Sequence, residues 1–376
     1  MIKFSIEFKT LTDAINTVSK AVAIKGPNPV LSNLLITASD GNIRFVGTDQ
    51  EIMMISTMNA NVEEGGHFTI PAKLIQEIIS SLSADSTELV EFELYNEESG
   101  EMELRCGRSK FTIQTQSAEG FPPVPVLGGE DTELYETNCE NLARALREAS
   151  LAILKEEGNP VQKSICLDFS DGINAMMAST DNKRLCVTKV RDFQIPETMK
   201  QIFIVPARAI AEIQNLLGNS ETIKYGLYKG QLLFNTEKFL LITRLVEGRF
   251  PEYKRVLPKE STRILKVNRK ALAQSIKTVK PISRNSNDLV NFDIQANETR
   301  VWADAKEQGK AQSFVASELK GEPLSIAFNA NFVMDFINVI EDEEVCIELT
   351  TQNYPGLFKA GNQDSDFNYV VMPMMI

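Results

Sequence analysis

The chain contains one histidine, His67, in 376 residues, and this scarcity limits the chemistry that the protein can perform. A lone histidine leaves any metal site, and any Cys/His catalytic pair, without its partners. His67 stands in a Gly-Gly-His-Phe segment next to a predicted strand. We therefore predict an exposed turn residue there, and not a general base or a metal ligand.

Cysteine is also scarce, and its spacing excludes the usual sulfur-based sites. The five cysteines lie far apart and form no C-x-x-C pair: Cys106, Cys139, Cys166, Cys186 and Cys346. This pattern predicts reduced, half-buried thiols in a cytoplasmic protein, and neither a disulfide framework nor a zinc site. We expect no metal and no cofactor.

Other signatures of enzymes and membrane proteins are missing as well. The sequence has no Walker-type glycine loop and no G-x-S-x-G elbow. No apolar run reaches the roughly 18 residues of a membrane span. The first residues, MIKFSIEFKT, alternate apolar and charged side chains, which predicts a first strand and no signal peptide. Acidic residues are plentiful, so paired catalytic carboxylates stay open, but no pair is singled out.

The net charge of −12 argues against a protein that coats DNA through a wholly basic surface. It leaves room for a basic lining on an acidic body. The stretch from Lys266 to Asn287 contains six basic residues and no acidic one. A solvated helix face would explain this stretch equally well.

Three similar units follow one another along the chain. Each begins with an amphipathic segment whose apolar residues recur at three- and four-residue steps, which places them on one helix face. Leu11, Leu142 and Leu272 open these segments and lie 131 and 130 residues apart. A strand-like stretch closed by an aspartate comes next in each unit, at Asp49, Asp181 and Asp304.

A second helical segment recurs in each unit and completes the repeat. It begins near Ile70, Val205 and Phe328, and in the first two units we predict a proline at the first helical position. Alternating strands follow, and proline-rich segments beginning at Phe121 and Phe250 separate the units. These boundaries predict domains at residues 1–127, 128–257 and 258–376.

Basic residues are scattered over these repeated helices: Lys9, Lys20, Lys73, Arg144, Arg147 and Arg208. If a closed assembly sets the helices on an inner wall, that wall meets phosphates without reading bases. The alternative is a repeat scaffold that binds partner peptides without encircling DNA.

The chain resembles the bacterial DNA polymerase III beta subunit family over essentially its whole length. The segments that carry the resemblance are PVLSNLLI from Pro29, GTD from Gly47, GRSKF from Gly107, STDNKRL from Ser179, EGRFPEYKRVLP from Glu247 and YVVMPM from Tyr369. The resemblance implies an α+β fold of three DNA-clamp domains, each with two helices packed on antiparallel sheets. It also implies a head-to-tail homodimer that forms a six-domain ring.

The resemblance further implies residue roles. An apolar partner-peptide pocket would comprise Thr180, Leu185, Pro251, Arg255, Val256, Val370, Met372, Pro373 and Met374. DNA-facing bases would be Lys25, Lys73, Arg208, Lys277 and Lys280, and Phe111 and Ile282 would form the core of the dimer interface. An uncharged VVMPMMI end suits such a pocket, because Met side chains repack around different partners.

Some residues depart from the family pattern. Asn182-Lys183 replaces the usual Gly-His, Met375 replaces a basic residue, and Gln162 falls where an apolar pocket residue is usual. Asn tolerates a positive φ, so we expect the turn to survive.

The expected function is a non-enzymatic sliding clamp of DNA replication that encircles duplex DNA without sequence specificity. The implied partners are double-stranded DNA, the replicative polymerase alpha subunit, a clamp loader and other clamp-binding replication and repair proteins. We expect a cytoplasmic location and no membrane association.

Overall fold

The computed structural model describes residues 1–23, 28–95, 99–125, 132–218, 220–305, 308–361 and 365–375. Six α-helices lie in these ranges: α1 (Phe8–Val18), α2 (Ala72–Ser81), α3 (Cys139–Ala149), α4 (Ala207–Leu217), α5 (Arg269–Ser283) and α6 (Ala330–Val339). Short 3-10 helices occupy Ser19–Ala21, Pro29–Ser32, Ser150–Ala152, Glu197–Met199, Tyr253–Arg255 and Arg284–Ser286.

The same ranges contain 25 strands. In the first half these are β1 (Ile2–Glu7), β2 (Asn33–Ser39), β3 (Asn42–Thr48), β4 (Ile52–Asn59), β5 (Asn61–Glu64), β6 (Gly66–Pro71), β7 (Leu89–Leu94), β8 (Glu101–Cys106), β9 (Ser109–Gln114), β10 (Leu134–Asn138), β11 (Ser164–Asp168), β12 (Met176–Thr180) and β13 (Arg184–Lys189). In the second half they are β14 (Ile202–Pro206), β15 (Thr222–Tyr228), β16 (Gln231–Asn235), β17 (Phe239–Thr243), β18 (Arg263–Asn268), β19 (Leu289–Ile294), β20 (Glu298–Ala305), β21 (Gly309–Lys320), β22 (Leu324–Asn329), β23 (Glu344–Leu349), β24 (Gly356–Ala360) and β25 (Asn368–Val371).

The chain divides into two compact units, and each has its own sheets. The first unit comprises Met1–Cys139 and Ala211–Leu245, and the second comprises Glu140–Ile210 and Val246–Ile376. In the first unit, a five-stranded sheet has the order β5-β1-β7-β8-β9 and an eight-stranded sheet the order β10-β15-β16-β17-β4-β3-β2-β6. The second unit has a twelve-stranded sheet of order β14-β11-β12-β13-β25-β24-β23-β18-β21-β20-β19-β22. These strands pair antiparallel.

The predicted helical periodicity is confirmed in every repeat. Leu11 on α1, Leu142 on α3 and Leu272 on α5 are all buried. On α5 the buried face continues through Ile276 and Val279, at the spacing that stacks side chains over successive turns. Burial of this stripe against the sheets supplies most of the stability of such short helices.

Four local predictions need correction. Pro71 and Pro206 end strands β6 and β14, and the helices begin one residue later. Pro71 has a non-helical ψ of 118°, so it precedes the first helical position. Asp304 lies inside β20 and does not close it, and His67 is an exposed residue of β6 opposite Thr37. The alternating burial of β20 continues through Asp304, and pairing with Thr37 includes His67 in β6.

The cysteines are more deeply placed than predicted. All five are free, and all five are buried where we expected half-burial. Burial raises the pKa of the Cys166 thiol to about 12, so this group stays protonated at neutral pH and is a poor nucleophile. None of the described helices is long and apolar enough to cross a membrane.

Candidate functional site

Two paired strands in the second unit form the apolar floor of a candidate partner site. Leu185 on β13 pairs with Thr180 on β12 and, on its other side, with Val370 on β25. Leu185 is 3% exposed and Val370 is 1% exposed. Both belong to a buried apolar cluster that also contains Phe250 and Tyr253. Residues directly opposite each other on antiparallel strands face the same side, so these side chains form one surface.

The turn between β12 and β13 is closed by its own side chains. Asp181 Oδ1 accepts hydrogen bonds from the backbone N–H groups of Lys183 and Arg184, both at 3.0 Å. The Thr180 hydroxyl donates to the Arg184 carbonyl at 2.7 Å and accepts from the Asn182 N–H at 3.1 Å. Asn182 has a φ of 69°, a left-handed conformation that asparagine adopts more readily than most residues. The turn therefore survives without the family's usual glycine, as expected.

Arg184 is a site residue that sequence reasoning missed. Its guanidinium is buried and donates to Asp181 at 3.0 Å, to Asp335 on α6 at 2.7 Å and to the Tyr369 hydroxyl at 3.1 Å. It also lies 4.2 Å from the centre of the Phe332 ring. These contacts hold the start of β13 against α6. The only sequence signal was its place in STDNKRL, since an arginine is ordinarily expected at the surface.

The connector between β17 and β18 forms a wall beside this floor. Tyr253 is buried, whereas Pro251, Arg255 and Val256 are exposed. Val256 exposes 49% of its surface, and Arg255 Nε lies 2.7 Å from the Glu252 carboxylate. The buried Tyr253 ring thus anchors the connector, while the apolar Val256 and the cationic Arg255 side chains are exposed to solvent.

A buried carboxylate anchors this connector from below. The Tyr253 hydroxyl donates to Asp168 Oδ2 at 2.7 Å, and Lys254 Nζ lies 2.9 Å from the same oxygen. Burial alone would raise the pKa of Asp168, but hydrogen bonds from Lys254, Ser170 and Tyr253 outweigh it and lower that pKa to about 2. Burial and the bond to Asp168 together raise the pKa of Tyr253 above its ordinary value. Asp168 therefore stays ionised, and it ties the connector to the end of β11.

The carboxy-terminal segment lies along the same site. The Met372 N–H donates to the Lys183 carbonyl at 2.9 Å, and the Met374 N–H donates to the Ala327 carbonyl at 2.8 Å. The backbone is thus held while the Met372 side chain remains 44% exposed and Met375 remains 93% exposed. Unbranched thioether side chains on a fixed backbone can adapt to differently shaped ligands.

We name these nine residues the second-unit groove, because they lie on neighbouring strands, one connector and one tail of that unit: Thr180, Leu185, Pro251, Arg255, Val256, Val370, Met372, Pro373 and Met374. Val161, which the sequence analysis did not single out, lies beneath this candidate site. It is buried in the same apolar cluster, next to Gln162, which is only half-buried. The buried apolar side chain of this segment is therefore Val161, one position before Gln162.

Two of the predicted DNA-facing bases lie on α5. Lys277 is exposed and Lys280 is half-buried, and neither makes an ion pair within the part of the chain that the structure describes. The helix has no acidic residue of its own. Its exposed face is therefore cationic, although the whole chain is acidic.

The other predicted bases lie on different helices. Lys73 on α2 is 91% exposed, and its ammonium is 3.8 Å from the Glu77 carboxylate one turn further on. Arg208 is exposed near the start of α4. Lys25 lies outside the described residues.

The two predicted interface residues are both half-buried. Phe111 lies on β9, an edge strand of the five-stranded sheet, and Ile282 lies on α5 against the core of the second unit. An edge strand presents unpaired N–H and C=O groups, which another strand can bind.

Among the described residues, no group of three or more His, Cys, Asp or Glu side chains is arranged to hold a metal ion. Taken together, the helices, the antiparallel sheets and the apolar cluster beneath the second-unit groove define an α+β protein with a candidate binding surface in its second unit.

Comparison with known proteins shows which family the chain belongs to. Sequence models of the DNA polymerase III beta subunit match three successive segments: the N-terminal domain at 2–125, the central domain at 136–252 and the C-terminal domain at 254–375. The beta sliding clamp of Pseudomonas putida is 28% identical over 377 residues, with 99% of this chain and 100% of that protein covered. The crystal structure of the Thermotoga maritima beta subunit has 25% identity and a TM-score of 0.89, with both chains covered completely. A Pseudomonas aeruginosa sliding clamp solved with griselimycin has 26% identity and a TM-score of 0.90, also with both chains covered completely.

The chain belongs to the DNA polymerase III beta subunit family, the sliding clamps. The predicted α+β fold of three clamp domains is confirmed, as is the expectation of a non-enzymatic clamp. The domain boundaries and the residue roles stay predictions.

Proposed function

We propose that two copies of this chain close head to tail into a ring around duplex DNA and tether the replicative polymerase to it. Each copy would contribute domains at 1–127, 128–257 and 258–376. The observation that carries this proposal is the succession of three clamp-domain matches along one chain. A head-to-tail contact is heterologous, and it closes after two copies when the rotation between them is a half turn.

The interface is proposed to join the β9 edge of one copy to the third domain of the other. Phe111 and Ile282 would supply its apolar centre. Pairing would also remove the exposed edge of β9, which supports this assignment.

DNA contact would come from the cationic helices. Lys277 and Lys280 carry charge that no described acidic side chain neutralises, and Lys25, Lys73 and Arg208 would extend the basic lining. Contacts to phosphates are independent of base sequence. A ring threaded by DNA needs no tight binding, so weak contacts suffice and permit sliding.

The second-unit groove would hold an extended peptide with apolar anchor side chains. Its ligands are proposed to be the polymerase alpha subunit, the clamp loader, and other replication and repair proteins. The Pseudomonas aeruginosa relative bound to griselimycin supports a ligand-binding role for clamps of this family. Attachment to the ring raises the polymerase's effective concentration at the primer end. A cytoplasmic location would follow from this role.

Retention on circular DNA tests the topological part of the proposal. We expect the protein to stay on a nicked circle through a gel-filtration column and to be lost when the circle is linearised, since only a free end lets a ring slide off. A monomer in native mass spectrometry, or retention unchanged by linearisation, would favour the alternative scaffold that does not encircle DNA.

Removal of Met372–Ile376 tests the groove separately. We expect polymerase binding to fall at least tenfold while the dimer persists, because the tail lines the groove and Met372 is exposed there. Met375→Ala is the matched control, since this side chain lies outside the nine residues of the groove. Unaltered polymerase binding by the truncated protein would refute the residue assignment.

A further inference from the structure

The first unit contains a groove that the proposed function does not use. It encloses about 500 Å³, and its lining comes from the turn after β3, from β4, from the proline-rich connector after β9 and from β15–β17. We name it the first-unit groove and define it by the six lining residues Glu51, Met53, Phe121, Val124, Ile242 and Arg244.

The turn bordering this groove repeats the turn of the second-unit groove bond for bond. The Thr48 hydroxyl donates to the Ile52 carbonyl at 2.8 Å and accepts from the Gln50 N–H at 3.0 Å. Asp49 Oδ1 accepts from the N–H groups of Glu51 at 3.0 Å and Ile52 at 2.9 Å. Gln50 has a φ of 77°, the same left-handed conformation that its counterpart adopts in the other turn.

The strand register is repeated as well. Met53 on β4 pairs with Ile242 on β17, just as Leu185 on β13 pairs with Val370 on β25. Ile242 is buried and Met53 is half-buried, and both belong to one apolar cluster. Each groove therefore has an apolar floor made of two directly opposed side chains.

In each groove, the segment that follows the second floor strand is held by a backbone hydrogen bond at the same position. The Arg244 N–H donates to the Glu51 carbonyl at 2.8 Å, and the Met372 N–H donates to the Lys183 carbonyl at 2.9 Å. Arg244 thus occupies the place in the first-unit groove that Met372 occupies in the second-unit groove. Both side chains are exposed.

The walls match in type but differ in detail. Phe121 and Val124 pack against the floor cluster of the first-unit groove, and Phe250 and Tyr253 belong to the floor cluster of the other. Three prolines stiffen the wall of the first-unit groove. A preformed apolar groove with a rigid wall is the usual setting for extended peptides.

The charge at the rim selects the ligand. Lys229 and Arg244 are exposed and form no ion pair within the described residues, and Glu51 is the one acidic residue among the lining residues that the structure describes. Lys229 Nζ lies 5.3 Å from the centre of the Tyr228 ring, and Tyr228 also lines the groove. The attraction between the ammonium and the ring keeps the positive charge of Lys229 near the groove. In an acidic chain, this net positive lining complements a negatively charged ligand.

We propose that the first-unit groove is a second peptide-binding site, which takes an extended acidic segment of a partner protein with aliphatic side chains at alternating positions. The aliphatic side chains rest on Met53 and Ile242, and a carboxylate pairs with Arg244. The binding preference differs from that of the second-unit groove, because Arg244 replaces Met372 at the rim. This site does not depend on ring closure or on DNA.

Fluorescence anisotropy of the full-length protein tests this site with a fluorescein-labelled octapeptide, Gly-Ser-Asp-Leu-Asp-Ile-Ser-Gly. We expect saturable binding that weakens at least tenfold in Arg244→Glu, a change equal to about 1.4 kcal/mol. A peptide with lysine at both Asp positions should bind Arg244→Glu/Lys229→Glu better than it binds the unaltered protein. Lys238→Glu is the matched control, since Lys238 is exposed and lies outside the lining.

Each other outcome overturns the site. No saturable binding at millimolar protein, or equal binding by Arg244→Glu, removes the peptide assignment. Binding lost on deletion of Met372–Ile376 places the peptide in the second-unit groove. Self-association that Arg244→Glu abolishes makes a second copy the occupant. Val124→Asp, which alters the wall instead of the rim, should also weaken the octapeptide, so a misfolded single variant does not decide the result.

Discussion

Replacing Tyr253 by phenylalanine removes one hydrogen bond from a buried carboxylate and leaves the aromatic packing in place. The Tyr253 hydroxyl lies 2.7 Å from Asp168 Oδ2, and Asp168 is 4% exposed. A hydrogen bond to a charged group contributes about 1.5–3 kcal/mol. Because Asp168 keeps its contacts with Lys254 and Ser170, we expect the lower end, a loss of about 1.5–2 kcal/mol at pH 7.

Urea unfolding measures this loss. The chain has one tryptophan, Trp302, which lies in the second unit with Tyr253, so its fluorescence reports the unfolding of that unit. With a slope of about 2–3 kcal/mol per molar urea, the midpoint should fall by roughly 0.5–1 M. Tyr354→Phe is the control, because this side chain is 54% exposed and the change should stay within about 0.5 kcal/mol.

The pH dependence gives a second readout. The pKa of Asp168 is lowered from 3.8 to about 2 in the folded protein, so its stabilising contribution is complete above pH 4 and is lost as the pH falls towards 2. Without the Tyr253 hydroxyl, the pKa of Asp168 rises, so the stabilising contribution of its ionised carboxylate begins to be lost at a higher pH. The stability difference between the two proteins should therefore narrow below pH 4.

Two results would refute this reasoning. Equal midpoints for Tyr253→Phe and Tyr354→Phe would show that the bond to Asp168 adds nothing. A difference that stays constant from pH 7 to pH 3 would show that the ionised carboxylate is not its source.

Two further perturbations follow from the structure. Arg184→Met should cost about 3–5 kcal/mol in urea unfolding, because it leaves Asp181 and Asp335 without their buried partner; a loss below 1 kcal/mol would contradict the anchoring role. Lys277→Gln/Lys280→Gln should reduce the slope of log affinity for linear duplex DNA against log salt by about 2, and an unchanged slope would place these lysines away from the phosphates.

The repeated helices could be predicted from sequence because their signal is local. The buried stripe of α5 consists of residues that include Leu272, Ile276 and Val279. Their 3.6-residue spacing can be recognised in the sequence without knowing which sheet the helix packs against. The floor of the second-unit groove could not be predicted from a local pattern of this kind. Leu185 and Val370 lie 185 residues apart, and only the resemblance placed them in one site before the strand pairing brought them together.

Local signals failed where distant contacts decide the conformation. Pro71 continues β6 because it pairs with Asn33, although proline so often opens a helix. Arg184 is buried because Asp335 and Tyr369 arrive from elsewhere in the chain. Nothing in the local sequence distinguishes a buried arginine such as Arg184 from an arginine at the surface.

The sequence by itself determined the three repeats, their paired helices and the family, since periodicity, spacing and motifs are properties of neighbouring residues. The tertiary structure alone decided that Tyr253 rests on Asp168, and that the turn at Asp49 copies the turn at Asp181. It also decided that Arg244 stands where Met372 stands in the other groove. Such contacts depend on strand register, and register is settled by the burial of a whole face and not by any single segment.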